Sequence, residues 1–212
     1  IAIMAVIMGI TVPAFNTMGK GSGMRGALSQ LRSTISLARQ WAITHRQQVY
    51  IVFPDFDITD FNNNAQEFEK ACKAYAVYAI TDKSAIEGDD ISKAGEYITD
   101  WRFLPKDVII NNDKDLKQNI LSERGSVGMP MTVNLGGKPD LVYTLPFNPD
   151  GSVAGSLSAA SIGKRIYLAE GYMIVNTNQL DASEYEMRPS GQKKFIAVNG
   201  LTGGIEIDDY ED

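Results

Sequence analysis

Residues 31–53 read LRSTISLARQWAITHRQQVYIVF, and within this stretch the hydrophobic pattern changes from the period of a helix to that of a strand. Before the change, five apolar residues recur at spacings of three and four: Leu28, Leu31, Ile35, Ala38 and Ala42. Residues at these spacings share one face of a helix. The pattern therefore predicts an amphipathic helix from Met24 to about Gln47, with this face packed on the rest of the protein.

The flank of this predicted helix carries a second regular pattern. Arg25, Arg32, Arg39 and Arg46 lie seven residues apart and so form one column beside the apolar face. Residues 1–47 contain five basic residues and no acidic residue, which leaves 15 basic and 26 acidic residues in the remainder. The acidic remainder argues against general affinity for nucleic acid. The arginine column is either a solvated flank or a surface for acidic partners, including neighbouring copies, or for DNA.

After the helix the composition becomes that of strands. Val49–Phe53 and Ala74–Thr81 are rich in β-branched and aromatic residues and predict two strands. Weaker strand predictions follow at Trp101–Leu104, Val108–Ile110, Met131–Leu135, Leu141–Phe147, Arg165–Ala169, Tyr172–Val175, Phe195–Val198 and Gly204–Ile207. The turn residues between the last two predict a terminal hairpin. Because no second long amphipathic helix and no βαβ alternation is present, we expect these strands to be mostly antiparallel.

Before the helix lies an apolar run, Ile1–Phe15, which reads IAIMAVIMGITVPAF and has no charged residue. As a helix it would span about 22 Å, short of the roughly 30 Å hydrocarbon core of a bilayer. We interpret it as the distal part of a longer apolar segment whose first part is missing. A buried core helix is the alternative interpretation. The glycine-rich stretch that follows, through Gly26, predicts a flexible joint.

One motif raises the alternative of a nucleotide-binding enzyme. Gly21, Gly23 and Gly26 form the pattern G-x-G-x-x-G at the start of the helix, and Asp55 follows the next strand. The apolar run ends well before Gly21, however, and no further βα units follow. Asp55 also comes later than the spacing of about 20 residues that this fingerprint expects. We therefore keep this only as a remote alternative.

Other candidate sites are weaker still. Residues 55–64, from Asp55 to Asn64, offer oxygen ligands for a hard cation such as Ca²⁺ but fail the EF-hand pattern, so a solvated acidic loop is the favoured interpretation. The chain has one histidine, His45, and one cysteine, Cys72, so no intrachain disulfide can form. Phe147–Ser152 indicates a strand followed by a tight turn. We therefore predict no catalytic residue, no metal, no cofactor and no enzymatic activity.

The order of an apolar run, an amphipathic helix and then strands resembles the type IV pilins and pseudopilins. Within that class, residues 31–53, FNPDGSVAG at 147–155, RIYLAEG at 165–171 and FIAVNGLTGGIEI at 195–207 are similar to two groups. These are the H-type minor pseudopilins of type II secretion and the FimT-type minor pilins. The resemblance does not cover residues 54–130.

The resemblance implies an α+β, pilin-like fold: a long N-terminal helix, made of an apolar anchor and an amphipathic half, packed on a mostly antiparallel β head. Residues 1–23 would be the membrane or filament anchor with its joint, and residues 24–212 the amphipathic helix and periplasmic head. The anchor positions would be Ile1, Ile3, Val6, Ile7, Ile10, Val12 and Pro13. The family's methylated aromatic first residue and nearby glutamate are not in this sequence. The glycines of Gly19–Gly26 depart from the family's unbroken helix.

The implied function is that of a minor pseudopilin, a structural subunit of a type II secretion or type IV-like filament assembled through its N-terminal helix. The implied location is the inner membrane, with the head in the periplasm or on a filament. The implied partners are other pilin or pseudopilin subunits, the inner-membrane assembly machinery and secreted cargo. A DNA-binding minor pilin for DNA uptake is the alternative.

Overall fold

The computed structural model describes residues 22–54, 72–87, 90–111, 116, 118–120, 131–135, 138–154, 164–175 and 185–210. Within these residues the chain forms one α-helix, one short 3₁₀ helix and ten strands in two antiparallel sheets. All the strand pairings within the two sheets are antiparallel, as the lack of βαβ alternation predicts.

The helix, α1, spans Ser22–His45. It begins inside the glycine-rich stretch that the sequence predicts to be a joint. The reason is packing, because a Cβ on Gly23 would be in ordinary contact with Val108 and Pro105, and a Cβ on Gly26 with Pro105, so this end of the helix lies beside residues distant in sequence. Tertiary contact therefore outweighs the low helix propensity of glycine here. The predicted boundary between the anchor with its joint, residues 1–23, and the helix with the head, residues 24–212, stays a prediction.

The α+β, pilin-like prediction with a long N-terminal helix is wrong for the part of the chain that the structure describes. A single helix of 24 residues stands beside ten strands, so strands dominate. The cause lies in the β-branched and aromatic segments that recur after Val49, each of which forms a strand where the structure describes it. No helix in the described ranges is apolar and long enough to cross a membrane.

The helix ends in a Schellman-type cap. Arg46 has a positive φ of 52°, and the N–H of Gln47 donates to the carbonyl of Ala42 at 3.2 Å. That bond closes the last turn in the pattern of a left-handed C-terminal cap. Glycine is the usual residue at this position, and here the left-handed residue is an arginine.

The first sheet has the strand order β3-β2-β1-β7-β6, and β4 pairs separately with β2. Its strands are β1 (Val49–Pro54), β2 (Ala74–Ile80), β3 (Gly95–Tyr97), β4 (Arg102–Phe103), β6 (Met131–Leu135) and β7 (Lys138–Phe147). β1 lies at the centre, with Ile51 opposite Val77 of β2 and Leu145 of β7. Every residue of β1 and β2 is buried.

The second sheet has the order β10-β9-β8-β5. Its strands are β5 (Val108–Ile110), β8 (Lys164–Val175), β9 (Tyr185–Val198) and β10 (Ile205–Asp209). β8 pairs with β9 along its whole length, with an irregularity between Ala169 and Gly171. β10 pairs with β9 only from Lys194 to Val198, and β5 pairs with β8 only from Leu168 to Glu170. Beyond the irregularity, β8 and β9 continue as a two-stranded arm.

The hydrophobic core lies where α1 meets both sheets. The helix contacts β1, β2 and β7 of the first sheet and β5, β8 and β9 of the second. The other face of the first sheet has its own apolar cluster, in which Tyr50 and Tyr78 are buried with Ile91. The segment after β2, which includes the 3₁₀ helix Lys83–Ala85 and β3, covers that face. This second layer explains why β1 has no polar face.

The strand predictions differ from the structure mainly in length. Arg165–Ala169 and Tyr172–Val175, predicted as two strands, form the single bulged strand β8. β9 begins ten residues before the predicted Phe195, and β3 has no counterpart among the predictions. The terminal hairpin is confirmed, because β9 and β10 pair with Ile205 opposite Val198.

Candidate functional site

The apolar face of α1 fixes the orientation of everything on its flank. Leu31, Ile35, Ala38 and Ala42 have no exposed surface, and Leu28 is also buried. Since burying an aliphatic side chain is worth about 1.5–3 kcal/mol, this face holds the helix firmly against the two sheets. The arginine column then lies along the edge of the buried face.

The four arginines of the column have different environments. Arg25, Arg32 and Arg46 are exposed, whereas Arg39 is half-buried. The Nε of Arg39 donates a hydrogen bond to the carbonyl oxygen of Gly151 at 3.3 Å, across 112 positions of sequence. Among the described residues, no carboxylate forms an ion pair with any of the four guanidinium groups. Their charge is therefore balanced by no described acidic side chain.

Two turns meet at Arg39. In the first, Asn148–Ser152, the N–H of Gly151 donates to the carbonyl of Asn148 at 2.8 Å, and Asp150 Oδ1 accepts from the N–H of Ser152 at 2.9 Å. In the second, Asn199–Gly204, the N–H of Gly203 donates to the carbonyl of Asn199 at 2.8 Å. The N–H of Val153 joins the two turns by donating to the carbonyl of Gly200 at 2.8 Å.

Glycine is required at the point where the turns touch the helix. Gly151 and Gly203 have φ of 83° and 64°, in the left-handed region that side chains disfavour. A Cβ at Gly203 would lie 2.7 Å from Arg39 Cδ and 2.7 Å from the carbonyl oxygen of Gly151. A Cβ at Gly151 would lie 2.7 Å from Ile43 Cδ1. These two glycines therefore allow the turns to pack directly on the C-terminal half of α1.

The helix and the second turn enclose a groove of about 480 Å³. Its lining consists of Arg32, Ser36, Arg39, Gln40, Ile43, Thr44, Gly203, Gly204 and Ile205. Arg32 and Arg39 line it, and none of the described lining residues is acidic. Ile43 adds an apolar surface, since 42% of that residue is exposed. The groove can therefore hold an anionic group beside an aliphatic one.

Strand β10 continues from the rim of this groove. It is the edge strand of the second sheet, bonded only to β9 among the described strands. Glu206 and Asp208 are exposed, and Lys194 of β9 forms an ion pair with Asp209. The rim of the groove is thus basic on the helix side and acidic on the outer face of β10.

The seven-residue spacing in the sequence identifies Arg32 and Arg39 of this site but not the residues that complete it. The NPDGS and GLTGG motifs predict turns, and nothing in either indicates that the turns meet each other or α1. Gly203 and Ile43 are therefore missed. The only available signal is the glycine in each motif, which marks a left-handed residue but not its contacts.

The other candidates are not part of this groove. His45 is exposed at the end of α1, stacked on Trp41 with ring centroids 4.0 Å apart. Cys72 is buried, and burial raises the pKa of its thiol, which opposes formation of a nucleophilic thiolate. The described residues contain no cluster of His, Cys, Asp and Glu that could hold a metal.

The G-x-G-x-x-G motif does not form a dinucleotide-binding unit in the described residues. Gly23 and Gly26 lie in the first turns of α1, and the strand that follows, β1, pairs antiparallel on both sides. A Rossmann unit requires parallel strands around the helix. The proposed anchor positions from Ile1 to Pro13, and the acidic segment from Asp55 to Asn64, lie outside the described residues.

Comparison with known proteins gave no match: no family model, no curated protein sequence and no solved structure is significantly similar to this chain.

Proposed function

We propose that this protein is a structural subunit of a filament, a minor pseudopilin of a type II secretion or type IV-like system, rather than an enzyme. In this proposal the head lies in the periplasm or on the filament, and the apolar run within residues 1–23 provides attachment to the inner membrane. Its partners are other pilin or pseudopilin subunits, the inner-membrane assembly machinery and secreted cargo.

One observation carries the proposal. Helix α1 packs on the two sheets by one face and presents on its flank a column of arginines that no described carboxylate neutralises. An unbalanced basic column on a helix is suited to contact with acidic neighbours. The rest of the chain has a net charge of −11 outside residues 1–47, and its exposed carboxylates include Glu206 and Asp208, so every other copy offers acidic groups to this column.

A contact between the basic helix of one copy and the acidic surface of the next joins two different patches. Such heterologous contacts repeat without closing unless the rotation between copies happens to form a ring. This arrangement supports a filament, in which each subunit contributes both patches.

In-cell crosslinking tests the proposal. A photoreactive residue at Arg25, exposed near the start of α1, is expected to crosslink the protein to other filament subunits in the native organism. The same residue at Tyr172, exposed on the arm formed by β8 and β9, is the comparison site. Crosslinks from Arg25 only to proteins outside any filament system would refute the proposal. The coding sequence gives a second test, because the proposal predicts a short basic leader, a glycine and an aromatic-led apolar run containing glutamate upstream of Ile1.

The alternative of a DNA-binding minor pilin is supported by the exposure of Arg25, Arg32 and Arg46. It is opposed by the exposed carboxylates Glu206 and Asp208 on the strand beside the groove. Gel-shift titration of the full chain with duplex DNA distinguishes the two. Binding that falls steeply with salt and is lost when Arg32 and Arg39 are replaced would favour DNA, and no binding at low salt would exclude it.

A further inference from the structure

One edge of β10 has no neighbouring strand among the described residues, so part of its main chain is open beside the groove. The N–H of Asn199 donates to the carbonyl of Gly204, and the N–H of Tyr210 donates to the carbonyl of Lys193. In an antiparallel pair the bonded positions alternate, so Glu206 and Asp208 bond to β9. The N–H and C=O of Ile205 and Ile207 therefore point away from β9, toward the open edge.

The two faces of this edge carry different side chains. Ile205 and Ile207 are opposite Val198 and Ile196, which are buried in the core under α1, so their side chains lie on the inner face of the sheet. Glu206 and Asp208 lie on the outer face, by the alternation of a strand. An added strand would meet arginines on its inner side and carboxylates on its outer side.

The dimensions of the groove fit an extended segment. Its helix wall runs from Arg32 to Thr44, about 18 Å at 1.5 Å per residue. An extended chain of about five or six residues has the same length. The groove is thus long enough for several alternating side chains to reach the helix.

We propose that the groove between α1 and the start of β10 binds an extended acidic segment of a different protein, which adds as a further strand to the edge of β10 that no described strand occupies. Its acidic residues occupy every second position and face Arg32 and Arg39. The positions between them are uncharged, because they lie beside Glu206 and Asp208. The inference rests on the proposed function and names the chemistry of a neighbouring filament subunit.

A second copy of this chain fits the edge less well. If β10 paired with β10 of another copy about Ile207, Glu206 would lie opposite Asp208 of that copy, twice in each pair. Like charges directly opposite each other on a sheet are destabilising. The charges therefore disfavour pairing of two β10 edges, so this edge is better suited to a different protein.

Binding of a synthetic peptide to the full chain tests the inference. The probe is a blocked heptapeptide in which glutamate and threonine alternate, with glutamate at both ends. The first control peptide has the same composition with its four glutamates grouped together. The second has the alternating sequence with each glutamate amide N-methylated, which removes the main-chain donors that would face Ile205 and Ile207.

Calorimetry or fluorescence anisotropy is expected to show salt-sensitive binding of the alternating peptide and little or none of either control peptide. Arg32→Gln should weaken binding about threefold, and the pair Arg32→Gln and Arg39→Gln about tenfold, as expected for partly exposed ion pairs. Arg25→Gln is the matched control, because it removes the same charge from the same helix outside the groove. It should change the affinity less than twofold.

Ile207→Pro tests the edge itself. Proline at this position removes an N–H that points to the open edge and leaves the bonds between β10 and β9 intact. Peptide binding should be lost while the unfolding temperature of the variant stays near that of the native protein. If Ile207→Pro does not fold, Arg32→Gln still tests the inference, because the exposed Arg32 side chain makes no described contact that the fold needs.

Three outcomes would overturn the inference: equal effects of Arg25→Gln and Arg32→Gln, equal binding of the N-methylated peptide, or pairing of two copies through their β10 strands that the peptide displaces. Preferential binding of duplex DNA through the same two arginines would also overturn it. None of these results would affect the crosslinking experiment, so the subunit role and the groove inference can fail separately.

Discussion

Strands β1 and β10 are both short and both carry isoleucine, but β1 is apolar along its whole length whereas β10 alternates isoleucine with carboxylates. β1 is hydrogen-bonded on both sides and buried on both faces, and Ile51 has no exposed surface. β10 is bonded on one side among the described strands, and 37% of Ile207 is exposed. The contribution of an isoleucine to stability therefore depends on how much of its side chain its neighbours bury. Ile51 of β1 contributes its whole side chain to the core, whereas Ile207 of β10 leaves part of its surface exposed.

The first prediction tests this contrast with one substitution at two places. Ile51→Ala should lower the free energy of unfolding by about 2–5 kcal/mol, because the cavity it leaves lies between two bonded strands and under α1. Ile207→Ala should cost less than about 1 kcal/mol, since much of its side chain is already in water. Urea denaturation measures both. Equal losses would contradict the contrast.

The second prediction concerns the turns that bring β10 to the helix. Gly203→Ala should cost more than about 1 kcal/mol, because the residue has a left-handed φ and its Cβ would collide with Arg39 and the Gly151 carbonyl. Gly26→Ala is the matched control. It lies inside α1 with its Cβ 3.8 Å from Pro105 Cγ, so alanine should stabilise the protein by about 0.5–1 kcal/mol.

Opposite signs for these two glycine substitutions in thermal or urea unfolding would support the packing described at Arg39. If Gly203→Ala were neutral, the contact between the turns and α1 would not be as close as the structure has it.

The third prediction concerns the residue that joins α1 to β1. Arg46→Gly should raise the free energy of unfolding by up to about 1 kcal/mol, because glycine adopts the left-handed cap without a Cβ penalty. Arg46→Ala, which removes the same charge and keeps the Cβ, should give no such gain. A gain from both variants would indicate that the charge of Arg46, and not its conformation, limits stability.

The smallest expected effect is a pH dependence in the turn beside the groove. Hydrogen bonds from the side chain and backbone of Ser152 lower the pKa of Asp150 below its ordinary value of 3.8. A lowered pKa in the folded state gives stability that is present above pH 3.8 and is lost as the pH falls through the folded pKa. Asp150→Asn should therefore lower the unfolding temperature slightly at pH 7, by an amount that shrinks in acid.

Thermal unfolding of the native protein and of Asp150→Asn across this pH range measures the effect. Ser152→Ala removes one donor and should reduce the same difference. A difference between the native protein and Asp150→Asn that grows in acid would contradict the assignment.

The sequence predicts the parts of this fold that depend on the local spacing of apolar residues and on turn residues. The spacing from Leu28 to Ala42 identifies the face of α1 that is buried, and the glycines before Ile205 identify the terminal hairpin. The start of α1 is missed because Gly23 and Gly26 are held by Pro105 and Val108, which are distant in sequence. Local propensity contains no information about such contacts.

The same reason limits the prediction of the candidate site. A seven-residue spacing is enough to align Arg32 with Arg39, because helix geometry is local. The partners of Arg39 come from two turns whose meeting depends on how two sheets pack. The left-handed conformations of Gly151 and Gly203 are foreseeable from the turn motifs, but their position beside the helix is not.

The arm formed by β8 and β9 should have its own unfolding behaviour. β5 and β10 flank only the part of the pair before the irregularity at Gly171, so the main-chain amides beyond it are held by a single neighbouring strand among the described residues. A two-stranded ribbon is only marginally stable by itself. Amide hydrogens of the arm should therefore exchange with solvent through local opening, long before those of β1, which exchange only when the whole domain unfolds.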